Sequence, residues 1–345
     1  MGFVAATKLL ESLSISRDSI DALIFVTQSP DYFCPASACY LHGQLGLSQT
    51  CLSFDINQAC AGYLYGLYVA HSLCDSGAAN RVLLIVGDTL SKFVNPLDSN
   101  LAPMMGDGVS ATLLERSDLT YNNGVYSSPT QSHKENSKTC FIADSKNIKP
   151  KNLIKWKIHK NFDAAQTTKA YFELGSDGSK FYQLIIPEGA CRVPTQEIIT
   201  DPKIWQTNET RGLKDLYMDG AEIFSFAVST YPKTFQSLLD YAQCDKDTID
   251  YFFFHQANKY IVDNIMRSLG LQKEKVPNTT TNRYGNLSGC SIPATICDTL
   301  APFADNGLDS ALRVHLAGFR AGLAWGNALV TLDRGFRCQK VGIYE

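Results

Sequence analysis

Two patterns of hydrophobic residues alternate in the first third of the chain. Apolar side chains recur at helical spacing over Gly2–Ser14, and a second helix is predicted over Ala61–Cys74. Ala22–Val26 is a continuous apolar run of strand length, and Arg81–Val86 contains another. Runs of this kind are typical of strands that are covered on both faces. Residues 1–117 are therefore predicted to form an α/β unit.

The middle of the chain has a different composition. Residues 118–215 are rich in Asn, Ser, Thr and Lys, and the window 134–160 contains eight lysines against two acidic residues. We predict a solvated, β-containing insertion with a basic face. Its strands are expected at Leu153–His159, Ala170–Leu174 and Tyr182–Ile186.

The α/β pattern returns in residues 216–345. An amphipathic helix is predicted from Asp219 to about Tyr241, and Tyr251–Phe254 has the apolar character of a buried strand. The unit also repeats the first tract, because Arg17–Phe25 matches Lys246–Phe254 with Asp18 aligned to Asp247, an offset of 229 residues.

Later matches keep the same order. Val86-Gly87 aligns with Ala317-Gly318 at an offset of 231, and each half is expected to end in a glycine-containing hairpin, at Gly106–Gly108 and at Gly322–Gly326. Several matches in one order predict a duplicated α/β unit. Related sheets bring corresponding strand ends together, which is where α/β proteins assemble their sites.

Composition and the length of the apolar runs exclude several classes of function. The formal net charge of −3 gives no electrostatic footprint for nucleic acid, and no apolar run approaches the roughly 20 residues of a membrane span. Lys8 and Glu11 interrupt the first apolar stretch, so it does not resemble a signal peptide. We expect a cytoplasmic protein that contacts neither membrane nor nucleic acid.

The eleven cysteines contain no Cys-x-x-Cys pair, which argues against a disulfide framework and a zinc site, so we predict no metal. Cys60 differs from the others because it lies at a predicted helix start, where the helix dipole is expected to lower its pKa. His255 follows a buried strand, and Asn286 lies in a turn. Cys, His and Asn at strand ends favour nucleophilic acyl chemistry; the other five histidines are expected to be structural or exposed.

Four motifs resemble those of the β-ketoacyl-acyl-carrier-protein synthase III family of thiolase-like condensing enzymes. They are Asp55–Tyr63 around the cysteine, His255–Asn258, Gly285–Ser288 and the glycine-rich Gly318–Gly326. The resemblance implies an α/β, thiolase-like fold made of a duplicated α-β-α-β-α arrangement of layers. It also implies an acyltransferase active in initiation of fatty-acid-type synthesis, with no cofactor.

The resemblance further implies roles for individual residues. Cys60 would carry the acyl group, and the backbone N–H groups of Cys60 and Ala321 would form an oxyanion hole. His255 and Asn286 would bind the thioester carbonyl of malonyl-acyl-carrier-protein while it decarboxylates. The wall for the pantetheine arm would comprise Gly220, Phe224, Ala257 and Asn258.

The chain also departs from the family. It begins about 50 residues into the family's usual length, so a first strand and an adenine-stacking Trp–Arg segment are expected to be absent. Asp98–Asn100 contains no cation where the family has an adenine-contacting arginine. Both departures favour a carrier-protein thioester over acyl-coenzyme A as donor, and the basic window 134–160 is either a docking face for an acidic carrier protein or a solvated insertion.

The resemblance implies a homodimer in which the partner subunit closes the acyl tunnel. Cys34 occupies the position of the bulky residue that precedes a proline in the family, so a pocket for acyl groups longer than acetyl is expected.

Two other functions remain open. The first is acyl transfer from Cys60 to a hydroxyl or amine acceptor, and the second is a non-catalytic scaffold. Hydroxymethylglutaryl-type synthases and degradative thiolases fit less well, because Arg320–Trp325 contains neither glutamate nor cysteine.

Overall fold

The computed structural model describes residues 1–116, 120–122, 125–127, 170–194, 212–304 and 307–343. Its helices are α1 (Gly2–Ser12), α2 (Ser37–Leu45), α3 (Gly62–Asp75), α4 (Gly220–Ala242), α5 (Lys259–Ser268), α6 (Thr280–Tyr284) and α7 (Ser291–Leu300). Its strands are β1 (Ala22–Val26), β2 (Leu52–Ile56), β3 (Arg81–Thr89), β4 (Asp107–Glu115), β5 (Thr120–Asn122), β6 (Val125–Ser127), β7 (Tyr171–Ser176), β8 (Leu184–Ile185), β9 (Tyr217–Met218), β10 (Tyr251–Phe254), β11 (Leu312–Arg320) and β12 (Ala324–Leu332).

Two four-stranded sheets form the frame of the fold. Their strand orders are β2-β1-β3-β4 and β10-β11-β12-β7. In the first sheet β1 and β3 are parallel and β3 and β4 antiparallel, and in the second β10 and β11 are parallel and β11 and β12 antiparallel. The order and directions of β1-β3-β4 therefore recur in β10-β11-β12, which confirms the duplication.

The helices lie in three layers around the two sheets. Ile24 and Leu84 of the first sheet pack against α3 and α7, whereas the alternate residues Leu23 and Leu83 pack against α1 and α2. Side chains that point to opposite faces at alternate positions explain why both faces of β1 and β3 are apolar.

The second sheet is covered in the same way. Phe253 joins the apolar layer that contains α3 and α7, and its neighbours Phe252 and Phe254 pack against α4 and α5. The layers follow one another as helices α1 and α2, the first sheet, helices α3 and α7, the second sheet, and helices α4 and α5. The predicted α-β-α-β-α arrangement is confirmed.

Most predicted elements agree closely with the structure. Ala22–Val26 and Tyr251–Phe254 are strands with the bounds predicted for them. The predicted segment Tyr182–Ile186 is different, because Tyr182 and Gln183 belong to the 3₁₀ helix Gly178–Gln183 and only Leu184–Ile185 is a strand. Asp177 starts this helix by accepting a hydrogen bond from the N–H of Ser179 at 3.1 Å.

The first glycine-containing hairpin is also corrected. β3 and β4 are antiparallel neighbours, but residues 90–106 separate them, and Gly106–Gly108 lies at the start of β4. Gly106 instead contacts the other half, because a Cβ there would lie 2.0 Å from the carbonyl oxygen of Tyr284. The second hairpin is present, since β11 and β12 are joined directly through Gly322.

The division into tracts 1–117, 118–215 and 216–345 stays a prediction. β7 lies in the middle tract but forms the edge of the second sheet beside β12. The predicted strand Leu153–His159 and the basic window 134–160 fall outside the described residues. Within the described ranges, no helix combines the length and apolar character that a membrane span needs.

A substitution at Leu64 tests how much the helix layer between the two sheets, formed by α3 and α7, contributes to stability. This α3 residue is fully buried between the two sheets, so we expect Leu64→Ala to lower the free energy of unfolding by about 2–5 kcal/mol through lost contacts and a cavity. Urea titration followed by circular dichroism measures the change. Leu97→Ala is the matched control, because Leu97 is 73% exposed and should change stability by less than about 0.5 kcal/mol. Equal losses in the two variants would contradict the layer assignment.

Candidate active site

One apolar cavity of about 370 Å³ lies where strand ends from the two halves meet. Cys60, His255, Asn286 and Ala321 all contribute to its walls, as does Ala257. The structure therefore brings together the four residues to which the sequence assigns chemistry, although they come from four separate loops.

Cys60 lies in the turn between β2 and α3, two residues before the helix begins at Gly62. Gly318 of β11 packs directly on this turn, since a Cβ at Gly318 would lie 3.2 Å from the Cα of Ala61 and 3.3 Å from the carbonyl oxygen of Cys60. Gly289 packs on its other side, where a Cβ would lie 3.0 Å from the carbonyl oxygen of Ala59. Both glycines belong to the second half, so the two halves enclose the turn.

The electrostatics of Cys60 differ from the prediction. Burial raises the pKa of the Cys60 thiol to about 11, and the negative charge of Asp88 adds to the increase. A contact from the Ser288 hydroxyl to the Cys60 Sγ at 3.9 Å and the positive charge of Arg320 lower the pKa by less. The expectation of a lowered pKa was wrong, because desolvation of the enclosed thiol is the largest influence on its pKa. At neutral pH the Cys60 side chain is a neutral thiol.

His255 directly follows β10 and is anchored to the neighbouring strand. Its backbone N–H donates to the carbonyl oxygen of Ala317 at 2.7 Å, and the residue is 3% exposed. Burial lowers the pKa of His255 to about 4, against the opposing effect of a hydrogen bond with the Ser288 backbone. Its Nδ1 has no hydrogen-bond partner among the described residues. The imidazole is therefore neutral at neutral pH, with one N–H and one unprotonated nitrogen.

Asn286 is fixed by hydrogen bonds to the first half of the chain. Its N–H donates to the Met104 carbonyl oxygen at 2.7 Å, and its own carbonyl oxygen accepts from Gly106 at 3.0 Å. The side-chain Oδ1 accepts from the N–H of Ser288 at 2.9 Å, which leaves the amide NH₂ as the group free to donate. Gly285 makes the turn possible, because its φ of +73° is a conformation that favours glycine.

Ser288 and Arg320 were not selected from the sequence as site residues. Ser288 contacts the Cys60 Sγ through its hydroxyl and orients Asn286 through its N–H. Arg320 lines the cavity beside Ala321. Both lie inside motifs that the sequence identified, so their position in a motif was the available signal.

The apolar wall comes from the paired strands β8 and β9, from residues beside them, and from α4. It consists of Leu184, Ile185, Ile186, Leu216, Met218, Ile223, Phe226 and Ala227. The first half adds Gln28, Asn57, Leu90, Phe93 and Met105. Sequence patterns placed Leu184–Ile186 in a predicted strand and Ile223–Ala227 in a predicted helix, but nothing in these patterns indicated a cavity wall.

Four predicted substrate-binding residues lie away from this wall. The side chain of Asn258 caps α5 by accepting from the N–H of Ile261 at 2.8 Å, and Phe224 stacks on Tyr260 with ring centroids 5.3 Å apart. Gly220 and Cys34 are exposed. In the single chain, only Ala257 of the predicted set lines the cavity.

The other histidines that the structure describes lie outside this cavity. His315 is buried, and its Nδ1 is 3.2 Å from the Tyr231 hydroxyl; His42 lies 2.9 Å from the Ser48 carbonyl oxygen. His133 and His159 lie outside the described residues. The part of the chain that the structure describes has no group of three His, Cys, Asp or Glu side chains that could hold a metal ion.

Two family models match the chain. The model for 3-oxoacyl-(acyl-carrier-protein) synthase III matches residues 54–133, and the model for the C-terminal part of that synthase matches residues 239–332. The matched segments contain Cys60, His255, Asn286 and Ala321.

Individual relatives agree with the family models. A Campylobacter jejuni protein, provisionally named 3-oxoacyl-(acyl-carrier-protein) synthase 3, is 43% identical over 96% of this chain and 78% of its own length. The Rhodopirellula baltica β-ketoacyl-(acyl-carrier-protein) synthase III is 31% identical over 95% of this chain and 82% of its own. The crystal structure of 3-oxoacyl-(acyl-carrier protein) synthase from Burkholderia xenovorans is 32% identical, with a TM-score of 0.76 over 98% of this chain and 81% of its own.

The raised pKa of Cys60 predicts how the free thiol reacts. With a pKa of about 11, about 0.1% of Cys60 is thiolate at pH 8, and this fraction grows about tenfold for each pH unit up to pH 10. The rate of alkylation by iodoacetamide, followed by peptide mass spectrometry, should rise in parallel. Exposed Cys39 serves as the internal control for reagent quality. A plateau in the Cys60 rate at or below pH 8.5 would contradict the burial effect.

Proposed function

The chain belongs to the 3-oxoacyl-(acyl-carrier-protein) synthase III family of condensing enzymes, and we propose that it forms an acyl thioester on Cys60 and condenses that acyl group with malonyl-acyl-carrier-protein. The product is a β-ketoacyl thioester of the fatty-acid type. The observation that carries the proposal is the convergence of Cys60, His255 and Asn286 on one apolar cavity.

In the first step, the Cys60 sulfur attacks the carbonyl carbon of an acyl thioester donor. The S–H proton leaves Cys60, the C–S bond of the donor breaks, and the donor departs as a thiol that takes up a proton. Two backbone N–H groups, those of Cys60 and Ala321, stabilise the negative oxygen of the tetrahedral intermediate. Backbone donors suit this role because they are held in place before the charge develops.

In the second step, the neutral side chains of His255 and Asn286 donate hydrogen bonds to the thioester carbonyl of the malonyl group. The bond to the carboxylate breaks, carbon dioxide leaves, and its electron pair forms an enolate that these donors stabilise. The enolate carbon then attacks the acyl carbonyl on Cys60, and the Cys60 sulfur is released and reprotonated. The lowered pKa of His255, about 4, supports donation from a neutral imidazole.

The apolar walls favour this reaction over hydrolysis. A cavity lined mainly by Leu, Ile, Phe and Met side chains excludes water from the acyl-enzyme and from the enolate. It also suits an alkyl chain and the slender arm of a carrier protein. We propose an acyl carrier protein as the partner that presents malonyl, with a carrier-bound or coenzyme A thioester as donor.

A homodimer is part of the proposal. The loop that contains Phe33 and Cys34 projects from the chain, with Phe33 86% exposed. In this arrangement the partner subunit supplies Cys34 as a small plug to the acyl tunnel, so that chains longer than acetyl fit.

Acylation and carbon dioxide release separate this function from its alternatives. Incubation with acetyl, butyryl or octanoyl thioesters should add one acyl mass to the wild-type chain and to Cys39→Ala, but none to Cys60→Ala. Asn286→Ala should still be acylated and should lose malonyl-dependent carbon dioxide release by about 10²–10³-fold, because one enolate donor is missing. Acylation without any malonyl-dependent release in the wild type would indicate transfer to another acceptor, and absence of acylation would indicate a scaffold.

Cys34 tests the dimer and the tunnel together. Cys34→Phe should keep acylation by acetyl thioesters and lower acylation by octanoyl thioesters by about tenfold or more, since a larger plug shortens the tunnel. Cys39→Phe, at another exposed cysteine, is the control. Light scattering should show a dimer for all three proteins. A monomeric wild type, or octanoyl transfer that is unchanged in Cys34→Phe, would contradict this assignment.

A further inference from the structure

Arg320 introduces a charge into an otherwise uncharged cavity. Among the described residues that line the cavity, Arg320 is the one with an ionised side chain, since His255 is neutral. No carboxylate in the described part of the chain forms an ion pair with it. Asp88 is the buried acid of this region, but its Oδ1 accepts hydrogen bonds from Thr27, Gln28 and Ser29 at 2.8–3.1 Å.

The guanidinium is held in position by Tyr65. Its central carbon lies 5.6 Å from the centroid of the Tyr65 ring, which gives a cation–π contact. The single O–H of Tyr65 lies within hydrogen-bond distance of two acceptors, the carbonyl oxygens of Gly175 at 3.1 Å and Trp325 at 3.3 Å. The ring is therefore fixed to β7 and β12, and it supports Arg320 from one side.

Arg320 retains unused hydrogen-bonding capacity. Its Nε is buried and has no hydrogen-bond partner among the described residues. Burial lowers the pKa of the guanidinium, against the opposing effect of Tyr65, which also makes a side-chain hydrogen bond with Arg320. Desolvation of an unpaired charge is unfavourable, and a cation–π contact compensates for part of it. An anionic group from a ligand would supply the missing pairing. Because the charge of Arg320 also acts on the Cys60 thiol, the guanidinium lies near the atom that receives the acyl group.

Two other roles for this cation fit the structure less well. Stabilising a Cys60 thiolate does not account for it, because the thiol keeps a pKa of about 11 with Arg320 beside it. Binding the malonyl carboxylate would oppose the condensation, since a cation paired with that carboxylate stabilises the ground state that decarboxylation must leave. The acyl donor is the remaining candidate, because a carboxylate on its acyl chain is not lost during the reaction.

We propose that Arg320 selects acyl donors whose chain ends in a carboxylate, as in succinyl and glutaryl thioesters, by pairing with that carboxylate while the thioester carbonyl reaches Cys60. Arg320 is thus a specificity residue of the acylation step. The inference rests on the proposed function, because it requires an acyl-Cys60 enzyme. The planar guanidinium suits the task, since its two parallel N–H groups match the two oxygens of a carboxylate.

The experiment compares donors that differ in charge. Pantetheine thioesters of succinate, glutarate, butyrate and the methyl ester of succinate are offered to the full chain, and acylation rates are read from intact mass. The wild type should prefer succinyl or glutaryl to both uncharged donors by about 10- to 100-fold, the usual range for a hydrogen bond to a charged group. Arg320→Met should lose this preference, and Arg320→Lys should keep part of it.

The control is Arg313→Met, because Arg313 lies on the same strand but is exposed and bonds to Thr248 at 2.9 Å; it should keep the wild-type preference. Equal or faster acylation of the wild type by butyryl overturns the inference and leaves the acyl-enzyme proposal intact. The inference is also overturned if Arg320→Met changes malonyl consumption alone. The same holds if this variant lowers the acylation rate equally for all four donors. Failure of every thioester to acylate the wild type overturns the proposed function with it.

Discussion

The site depends on the close packing of the Cys60 turn between two segments of the opposite half. Gly318 and Gly289 approach the backbone of this turn so closely that a Cβ at either would lie within about 3.3 Å of backbone atoms. The same contact places the end of β11 beside His255, whose N–H bonds to Ala317. Duplication of the α/β unit thus has a chemical consequence, because the site exists where the two copies meet.

Enclosure sets the protonation states of Cys60 and His255. The thiol of Cys60 has a raised pKa and the imidazole of His255 a lowered one, and in each case burial is the largest cause. A neutral thiol beside a neutral imidazole differs from a thiolate–imidazolium pair, and it explains why no carboxylate needs to orient His255. The proposed condensation therefore needs no change of charge on His255 or Asn286. Arg320 is the exception, because its side chain is charged. This charge is the reason for proposing that an anionic group of the substrate binds there.

The parts of the fold that could be predicted from sequence have strong local signals. β1 and β10 are apolar on both faces, and their bounds follow from that pattern alone. Cys60, His255 and Asn286 could be selected because each lies in a recognisable motif, although Asn286 follows helix α6 and not a strand. The wall formed by β8 and β9 could not, since the strand pattern at Tyr182–Ile186 does not reveal that this segment pairs with Tyr217–Met218 beside the site. The pKa of Cys60 could not either, because burial depends on Gly289 and Gly318, which are distant in the chain.

The central claim is that burial between the two halves keeps His255 neutral so that it acts as a hydrogen-bond donor. Nuclear magnetic resonance of ¹⁵N-labelled histidine side chains tests this claim directly, with His255→Gln used to assign the resonance. The account predicts that the His255 imidazole stays neutral, with one protonated nitrogen, from about pH 5.5 to pH 9, as its pKa of about 4 requires. Titration of His255 with a pKa near or above 6.5 would contradict it.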